Sequence, residues 1–106
     1  MSVYGYIRCA TDNATSIIAQ REAIERLCKD RSMPLTEVFC DTRCSGLEPF
    51  AERAGGDALL RALKTADIIV VRDFARPSRN APDFAQLIDS LRQRGVTIQL
   101  VDDRND

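Results

Sequence analysis

The sequence predicts a small α/β domain in three layers, with a mainly parallel sheet of four or five strands covered by helices. The first observation is the run Ile68, Ile69, Val70 and Val71, which is β-branched throughout and has no polar alternation. Such a run is typical of a strand buried on both faces. The second observation is that strand and helix patterns alternate along the whole chain. Strands separated by helices pair in parallel through right-handed crossovers, which places helices on both faces.

The first strand and the first helix are predicted from local composition and spacing. Residues 3–9 are rich in residues that favour extended backbone, and this predicts the first strand. Residues 16–29 carry an apolar stripe at helical spacing, which predicts a helix that packs on the core. Thr15 or Ser16 is the predicted N-cap of this helix.

The middle of the chain is predicted to contain a strand, a long irregular segment and a short helix. Residues 35–41 form the predicted second strand. Residues 42–56 form the irregular segment, which ends in the pair Gly55 and Gly56. A segment of this length in a small domain is usually functional. Residues 57–65 are predicted to form a short helix with its leucines facing inward.

The last part of the chain gives the clearest helical pattern. Residues 82–94 place apolar side chains at positions i, i+3, i+4 and i+7. Asn80 suits the start of this helix, and Gly95 suits the position just after its end. Residues 96–101 alternate apolar and polar side chains and form the predicted last strand.

Composition removes several classes of function. The chain has no histidine, which excludes Ser-His-Asp and Cys-His nucleophile activation within it. No dinucleotide or P-loop fingerprint is present, and we expect neither a metal nor a cofactor. Hydrophobic residues make up 44% of the chain and charged residues 29%, as in a folded globular domain. No apolar run is long enough for a membrane span and no secretory signal is visible, so we expect a cytoplasmic protein with free thiols.

Arginines gather where the buried strand ends. Arg72, Arg76 and Arg79 follow the apolar run, and Arg8 stands at the end of the first predicted strand. In open α/β sheets, ligands bind outside the carboxyl ends of the strands. This pattern indicates a receptor for a phosphate or another anion, and the alternative is a set of ordinary solvated arginines. The net charge of −1 means that any anion site must be a local patch.

Three motifs in a fixed order extend this interpretation. They are YGYIRCAT at residues 4–11, DTRCSG at residues 41–46 with Arg53 downstream, and FARPSR at residues 74–79. Together they resemble the catalytic domain of the serine recombinases, the resolvase and DNA invertase family. The resemblance covers nearly the whole chain and implies a resolvase-like fold.

The resemblance implies a chemistry and assigns residues to it. Members of the family cut DNA by attack of a serine on a phosphodiester, exchange strands within a tetramer and religate them. In the pattern Gly-Tyr-x-Arg-Val-Ser-Thr, Arg8 matches the arginine and Ala10 stands at the position of the nucleophilic serine. In the pattern Leu-Asp-Arg-Leu-x-Arg, Arg76 and Arg79 match the arginines, and Ala75 stands at the position of the aspartate. The remaining residues that the resemblance assigns to the site are Tyr6, Gln20 and Arg53.

The two alanines change what the site is expected to do. The methyl group of Ala10 cannot form a phosphoester, so the covalent step has no attacking atom. Loss of the carboxylate at Ala75 removes a group for proton transfer or arginine orientation. Arg8, Arg76 and Arg79 remain to hold a phosphate. We therefore expect weak binding to the DNA backbone and no strand cleavage.

Domain organisation and partners are also expectations of the resemblance. Family members continue into a long helix, which builds a dimer, and into a helix-turn-helix domain. Residues 1–106 are expected to form the catalytic domain alone, without either part. One alternative is an interaction module that pairs with an intact recombinase. Another is an anion-binding signalling domain, although only Asp41 lies near a strand end where such domains need several aspartates.

Overall fold

A computed structural model describes residues 1–72 and 81–101 of the chain. It contains four strands, β1 (Val3–Arg8), β2 (Leu35–Asp41), β3 (Ile68–Val71) and β4 (Thr97–Leu100). They alternate with three helices, α1 (Ala14–Asp30), α2 (Ala54–Ala62) and α3 (Ala81–Gln93), and a short 3₁₀ helix spans Phe50–Glu52. The predicted α/β fold with a parallel sheet is confirmed, with four strands in the described part of the chain.

The strand order β2-β1-β3-β4 explains where each helix lies. All three strand pairs are parallel, and the chain steps one way from β1 to β2 and then the other way to β3 and β4. A right-handed crossover changes face when the direction of the step reverses. Thus α1 packs on one face of the sheet, whereas α2 and α3 pack on the other.

Each strand therefore divides its side chains between two apolar clusters. The face covered by α1 joins Val3, Ile7 and Val70 to Ile24 and Cys28 of that helix. The opposite face carries a larger cluster, to which the sheet contributes Tyr4, Tyr6, Ile69 and Val71, the helices contribute Leu59, Leu87 and Leu91, and the C-cap of α2 contributes Leu63. The inner strand β3 is buried on both faces, as the apolar run at residues 68–71 predicted.

The first two helices begin earlier than predicted, because side chains outside the predicted helices cap their N-termini. The side chain of Asn13 accepts a hydrogen bond from the backbone N–H of Ser16, so α1 starts at Ala14 and the predicted caps Thr15 and Ser16 are wrong. The helix α2 starts at Ala54, because a carboxylate from β2 accepts the backbone N–H groups of its first turn. That turn contains the two glycines that were predicted to belong to the irregular segment.

The end of α3 agrees with its prediction. Gly95 has a φ of +75°, the left-handed conformation that glycine adopts without strain just after a helix. Its backbone N–H donates to the carbonyl of Arg92. The predicted cap Asn80 lies outside the described residues. The predicted strand at residues 96–101 is shorter by one residue at each end.

Gly5 allows α1 to lie close to the centre of the sheet. A Cβ at this position would lie 3.1 Å from Cγ2 of Ile24 and 3.2 Å from Cγ2 of Val38. Both neighbours belong to the cluster on the α1 face, so they have little freedom to move. A glycine is required here for space rather than for backbone conformation.

We predict that Gly5→Val lowers the free energy of unfolding by about 1–3 kcal/mol, the usual cost of adding methyl groups to a packed core. Urea denaturation followed by circular dichroism measures this loss. The control is Thr36→Val on the exposed side of β2, which should change stability by less than about 0.5 kcal/mol. Equal losses in the two variants would contradict the packing described for Gly5.

The amino edge of the sheet is held by the buried carboxylate of Asp67. Its Oδ1 accepts from the backbone N–H of Ser2 at 2.8 Å, and its Oδ2 accepts from the backbone N–H of Lys64 at 2.8 Å. The hydrogen bond from Ser2, with a smaller contribution from Lys64, lowers the pKa of Asp67 despite its burial. The charged carboxylate thus ties the start of the chain to the turn before β3.

We predict that Asp67→Asn destabilises the domain at neutral pH by about 1–3 kcal/mol, because an amide N–H₂ replaces an acceptor of a buried N–H. A carboxyl group with a lowered folded-state pKa stabilises above its unfolded pKa, and this contribution is lost as the pH falls through the folded value. The difference between wild type and Asp67→Asn should therefore shrink on acidification. Urea titrations between pH 7 and acid measure it, with the exposed Glu37→Gln as control. A difference independent of pH would refute the assignment.

Candidate active site

The candidate site lies at the carboxyl edge of the sheet, where β1 and β2 end side by side. Arg8 and Asp41 are direct partners in the register of these two strands. The pairing continues past the strands, because the backbone N–H of Cys9 donates to the carbonyl of Asp41 and that of Cys44 donates to the carbonyl of Cys9. The loops after β1 and β2 are thereby held together, and their side chains share one edge.

Arg8 is buried, with 5% of its surface exposed. Its Nη1 donates to the backbone carbonyl of Cys44 at 2.9 Å, which anchors the guanidinium beneath the second loop. Its own backbone carbonyl accepts a hydrogen bond from Nε2 of Gln20 at 3.0 Å. The side chain alternates with Ile7 and so faces the same side of the sheet as Tyr6. Arg8 is thus a fixed cation at the end of the central strand.

Ala10, which the resemblance assigns to the position of the nucleophilic serine, is exposed in the turn that follows β1. It lies two residues beyond Arg8. The turn itself is held by neighbouring contacts, since the backbone N–H of Arg43 donates to the carbonyl of Thr11. A side chain at this position is accessible to a ligand, and in this chain it offers only a methyl group.

A buried network of three side chains lies beneath this edge. The hydroxyl of Tyr6 donates to Oδ2 of Asp41 at 2.8 Å and accepts a hydrogen bond from Nη1 of Arg53 at 3.0 Å. Burial raises the pKa of Tyr6 above its ordinary value, although the hydrogen bond from Arg53 opposes the shift. The phenol therefore keeps its proton and remains a donor to the carboxylate.

Asp41 joins this network to α2. Its Oδ1 accepts the backbone N–H of Gly55 at 2.7 Å, and its Oδ2 accepts the backbone N–H of Gly56 at 3.0 Å. A carboxylate at a helix N-terminus satisfies N–H groups that have no partner within the helix and interacts favourably with the helix dipole. Sequence analysis did not assign Asp41 to the site. The available signal was an acidic residue at the end of a strand, followed by a glycine pair in the next helix.

Arg53 is placed inside the protein, with 2% of its surface exposed. Its Nε donates to the carbonyl of Glu48 at 3.1 Å. Its Nη2 donates to the carbonyls of Gly46 at 3.2 Å and Glu48 at 2.8 Å. Its guanidinium also lies 5.5 Å from the centre of the Phe50 ring. Through these contacts, Arg53 fixes the conformation of the loop between β2 and α2.

Gln20 reaches the edge from α1, on the other face of the sheet. It is fully buried, and its Nε2 also contacts Oγ of Ser16 at 3.3 Å. Its Oε1 is buried and has no hydrogen-bond partner among the described residues. Gln20 therefore supports the backbone of Arg8 rather than sharing a surface with its guanidinium.

The cysteines near the site face away from it or are bonded within the loop. Burial opposes ionisation of Cys9, but N–H groups of Thr11 and Asn13 and the hydroxyls of Thr11 and Ser16 lower the pKa of its thiol. Cys9 alternates with Arg8 and its thiol contacts Ser16 of α1. Burial and a hydrogen bond to Glu48 raise the pKa of Cys44 to about 11.

The remaining predicted residues divide into two groups. Arg76, Arg79 and Ala75 lie outside the described residues. Arg72 follows Val70 by two positions and lines a groove beside α1, so it does not share a face with the side chain of Arg8.

In residues 1–72 and 81–101, no three cysteine or acidic side chains form a cluster that suits a metal ion. No helix in these ranges is long and apolar enough to cross a membrane.

Comparisons with known proteins show the family to which the chain belongs. Residues 3–106 match the family model "Resolvase, N terminal domain". The chain is 30% identical over 103 residues to the transposon Tn3 resolvases of Escherichia coli and Klebsiella pneumoniae. The match covers 97% of this chain and 51% of each relative, so the chain spans about half the length of these relatives.

Solved structures share the fold at lower identity. The N-terminal catalytic domain of TP901-1 integrase superposes with a TM-score of 0.84 at 20% identity, over 95% of this chain and 78% of that one. A resolvase family site-specific recombinase from Streptococcus pneumoniae superposes with a TM-score of 0.78 at 19% identity, over 97% of this chain and 73% of that one. Because residues 3–106 match the family model and the fold agrees, the chain belongs to the resolvase family of serine recombinases, as an N-terminal catalytic domain.

Proposed function

We propose that this domain holds a DNA phosphate without cutting the strand to which the phosphate belongs. The observation that carries the proposal is Ala10, which is exposed next to a buried and anchored Arg8. Attack on a phosphodiester requires an oxygen or sulfur atom at the position that faces the phosphorus. Ala10 has neither, whereas a cation at the same strand end is retained.

The neighbouring nucleophiles do not replace the missing serine. Cys9 is buried and faces α1, and Oγ1 of Thr11 accepts the backbone N–H of Asn13 at 3.2 Å. Oγ of Ser45 accepts the backbone N–H of Leu47 at 3.1 Å, within the other loop. A misplacement of about 1 Å costs roughly 100-fold in rate, so side chains directed elsewhere supply no useful attack.

DNA is the partner that this proposal names, and the backbone phosphate is its point of contact. Arginine binds phosphate through charge-assisted, often bidentate hydrogen bonds. Arg8, Arg76 and Arg79 are the proposed donors. Because the whole chain carries a net charge of −1, binding should be weak, indifferent to sequence and sensitive to salt. Assembly into a dimer or tetramer is a property of the family that we propose for the whole protein.

We predict that the wild-type chain forms no covalent adduct with recombination-site DNA, and that Ala10→Ser alone does not restore one. The serine would supply the attacking oxygen, but Ala75 still lacks the carboxylate, whose absence costs about 10²–10⁴-fold in acid-base catalysis. Denaturing gels of protein incubated with end-labelled supercoiled or linear DNA detect the adduct. An intact serine recombinase on the same DNA is the positive control. An adduct with the wild-type chain or with Ala10→Ser would contradict the prediction.

We predict that the double variant Arg76→Gln, Arg79→Gln lowers affinity for duplex DNA at least about tenfold and makes its salt dependence less steep. Each lost phosphate contact should reduce the slope of log K against log salt by about 0.9. Fluorescence anisotropy at several salt concentrations measures both quantities. The control is Arg31→Gln, an exposed arginine at the far end of α1, which should leave both unchanged. Equal losses of DNA affinity in the double variant and in Arg31→Gln would favour the interaction module. The same conclusion would follow if the chain bound no DNA but paired with an intact recombinase.

A further inference from the structure

Two backbone hydrogen bonds hold the loop after β1 against the loop after β2. The carbonyl of Cys9 accepts the N–H of Cys44 at 3.1 Å, and the carbonyl of Thr11 accepts the N–H of Arg43 at 3.2 Å. Ala10 lies between these two bonds along the first loop and is exposed. The second loop therefore runs directly beside the turn that contains Ala10.

An exposed ion pair joins the same two loops. Nη2 of Arg43 donates to Oδ2 of Asp12 at 2.8 Å. The side chains of Arg43 and Asp12 are 76% and 63% exposed, respectively. An ion pair with this exposure contributes little to stability, because water hydrates and screens both charges. Arg43 can therefore exchange this carboxylate for another anion at little cost to the fold.

The backbone of Arg43 adopts a conformation that arginine rarely takes. Its φ is +51°, in the left-handed region. A residue with a Cβ is less stable in this region than in right-handed helical or extended backbone. Residues with such strain cluster at active sites and at sites that clamp a ligand. A guanidinium thus stands at a position where glycine would be free of strain.

Arg43 also lies next to the point at which Arg8 is anchored. Nη1 of Arg8 donates to the carbonyl of Cys44, the residue after Arg43. Arg8 is buried, whereas Arg43 carries its guanidinium on an exposed and flexible stem. A planar guanidinium matches phosphate through two parallel hydrogen bonds, as it does a carboxylate. The edge beside Ala10 therefore has a second cation that suits a phosphate.

We propose that Arg43 is a further phosphate-binding residue of this site, which Asp12 holds in the free protein and which passes to a backbone phosphate when DNA binds. The inference rests on the proposed binding of DNA and adds a residue and a competitor to it. Asp12 is the competitor, because its carboxylate occupies the guanidinium that the phosphate would use. Binding of DNA then opens the ion pair between the two loops while their backbone hydrogen bonds remain.

The salt dependence of affinity tests the role of Arg43. Arg43→Gln should weaken binding to duplex DNA about three- to tenfold and reduce the slope of log K against log salt by about 0.9, the value for one phosphate contact. Asp12→Asn should strengthen binding, because it releases the guanidinium. The matched controls are Arg61→Gln and Asp57→Asn, whose side chains form an exposed pair at 3.0 Å on α2. These controls change the net charge equally and should leave affinity and slope unchanged.

NMR of the arginine side chain tests the exchange of partners itself. In the free protein, the Nε–Hε resonance of Arg43 should differ between wild type and Asp12→Asn, because only wild type has the carboxylate. In the complex with duplex DNA the two resonances should coincide, because a phosphate holds the guanidinium in both. A resonance that DNA leaves unchanged would overturn the proposal.

The failure of this inference can be told apart from a failure of DNA binding by the domain. If the double variant Arg76→Gln, Arg79→Gln weakens binding while Arg43→Gln matches Arg61→Gln, the site binds phosphate without Arg43. If Arg43→Gln lowers the urea midpoint more than Arg61→Gln and leaves DNA affinity unchanged, the ion pair only ties the loops together. Absence of DNA binding by wild type and by every variant would overturn both proposals.

Discussion

The hydrogen-bonded group formed by Tyr6, Asp41 and Arg53 is the interaction on which the carboxyl edge of this domain depends. It connects the central strand, its neighbour β2, the loop after β2 and the first turn of α2 through contacts of 2.7–3.2 Å. All three side chains are buried, so each one satisfies polar groups that would otherwise lie without water. Removal of Tyr6 takes a buried hydrogen bond from both Asp41 and Arg53, which costs more than the loss of a single exposed hydrogen bond.

This buried group is independent of the side chain at position 10. Ala10 is exposed and its side chain has no part in the buried group. The position of its backbone is set by the pairing of Cys9 with Asp41 and Cys44, which does not involve the side chain at position 10. The chemistry at this edge and the stability of this edge therefore rest on different residues. Under the proposed assignment of Ala10, a change between serine and alanine at this position leaves the surrounding scaffold in place.

Sequence patterns predicted the fold well where one physical signal dominated. The apolar run at residues 68–71 and the regular spacing in α3 allow only one arrangement of buried faces, and both were predicted correctly. The start of α2 was not, because the carboxylate that caps its amides comes from Asp41, distant in sequence. The motifs predicted a site role for Arg53 but gave no indication of its bonds to Gly46 and Glu48. Such bonds depend on the conformation of the loop, which no local sequence pattern predicts.

Because side chains alternate along a strand, Arg8 and Arg72, which both follow strand ends, face opposite sides of the sheet. Arg8 follows Tyr6 by two positions and shares the face of α2 and α3, whereas Arg72 follows Val70 and shares the face of α1. A single layer of sheet separates these faces, so the two guanidinium groups do not approach one phosphate from the same side. The number of arginines near a strand end therefore overstates the charge available to a ligand. For Arg8 and Arg72, the parity of the position along the strand decides which side of the sheet the side chain faces.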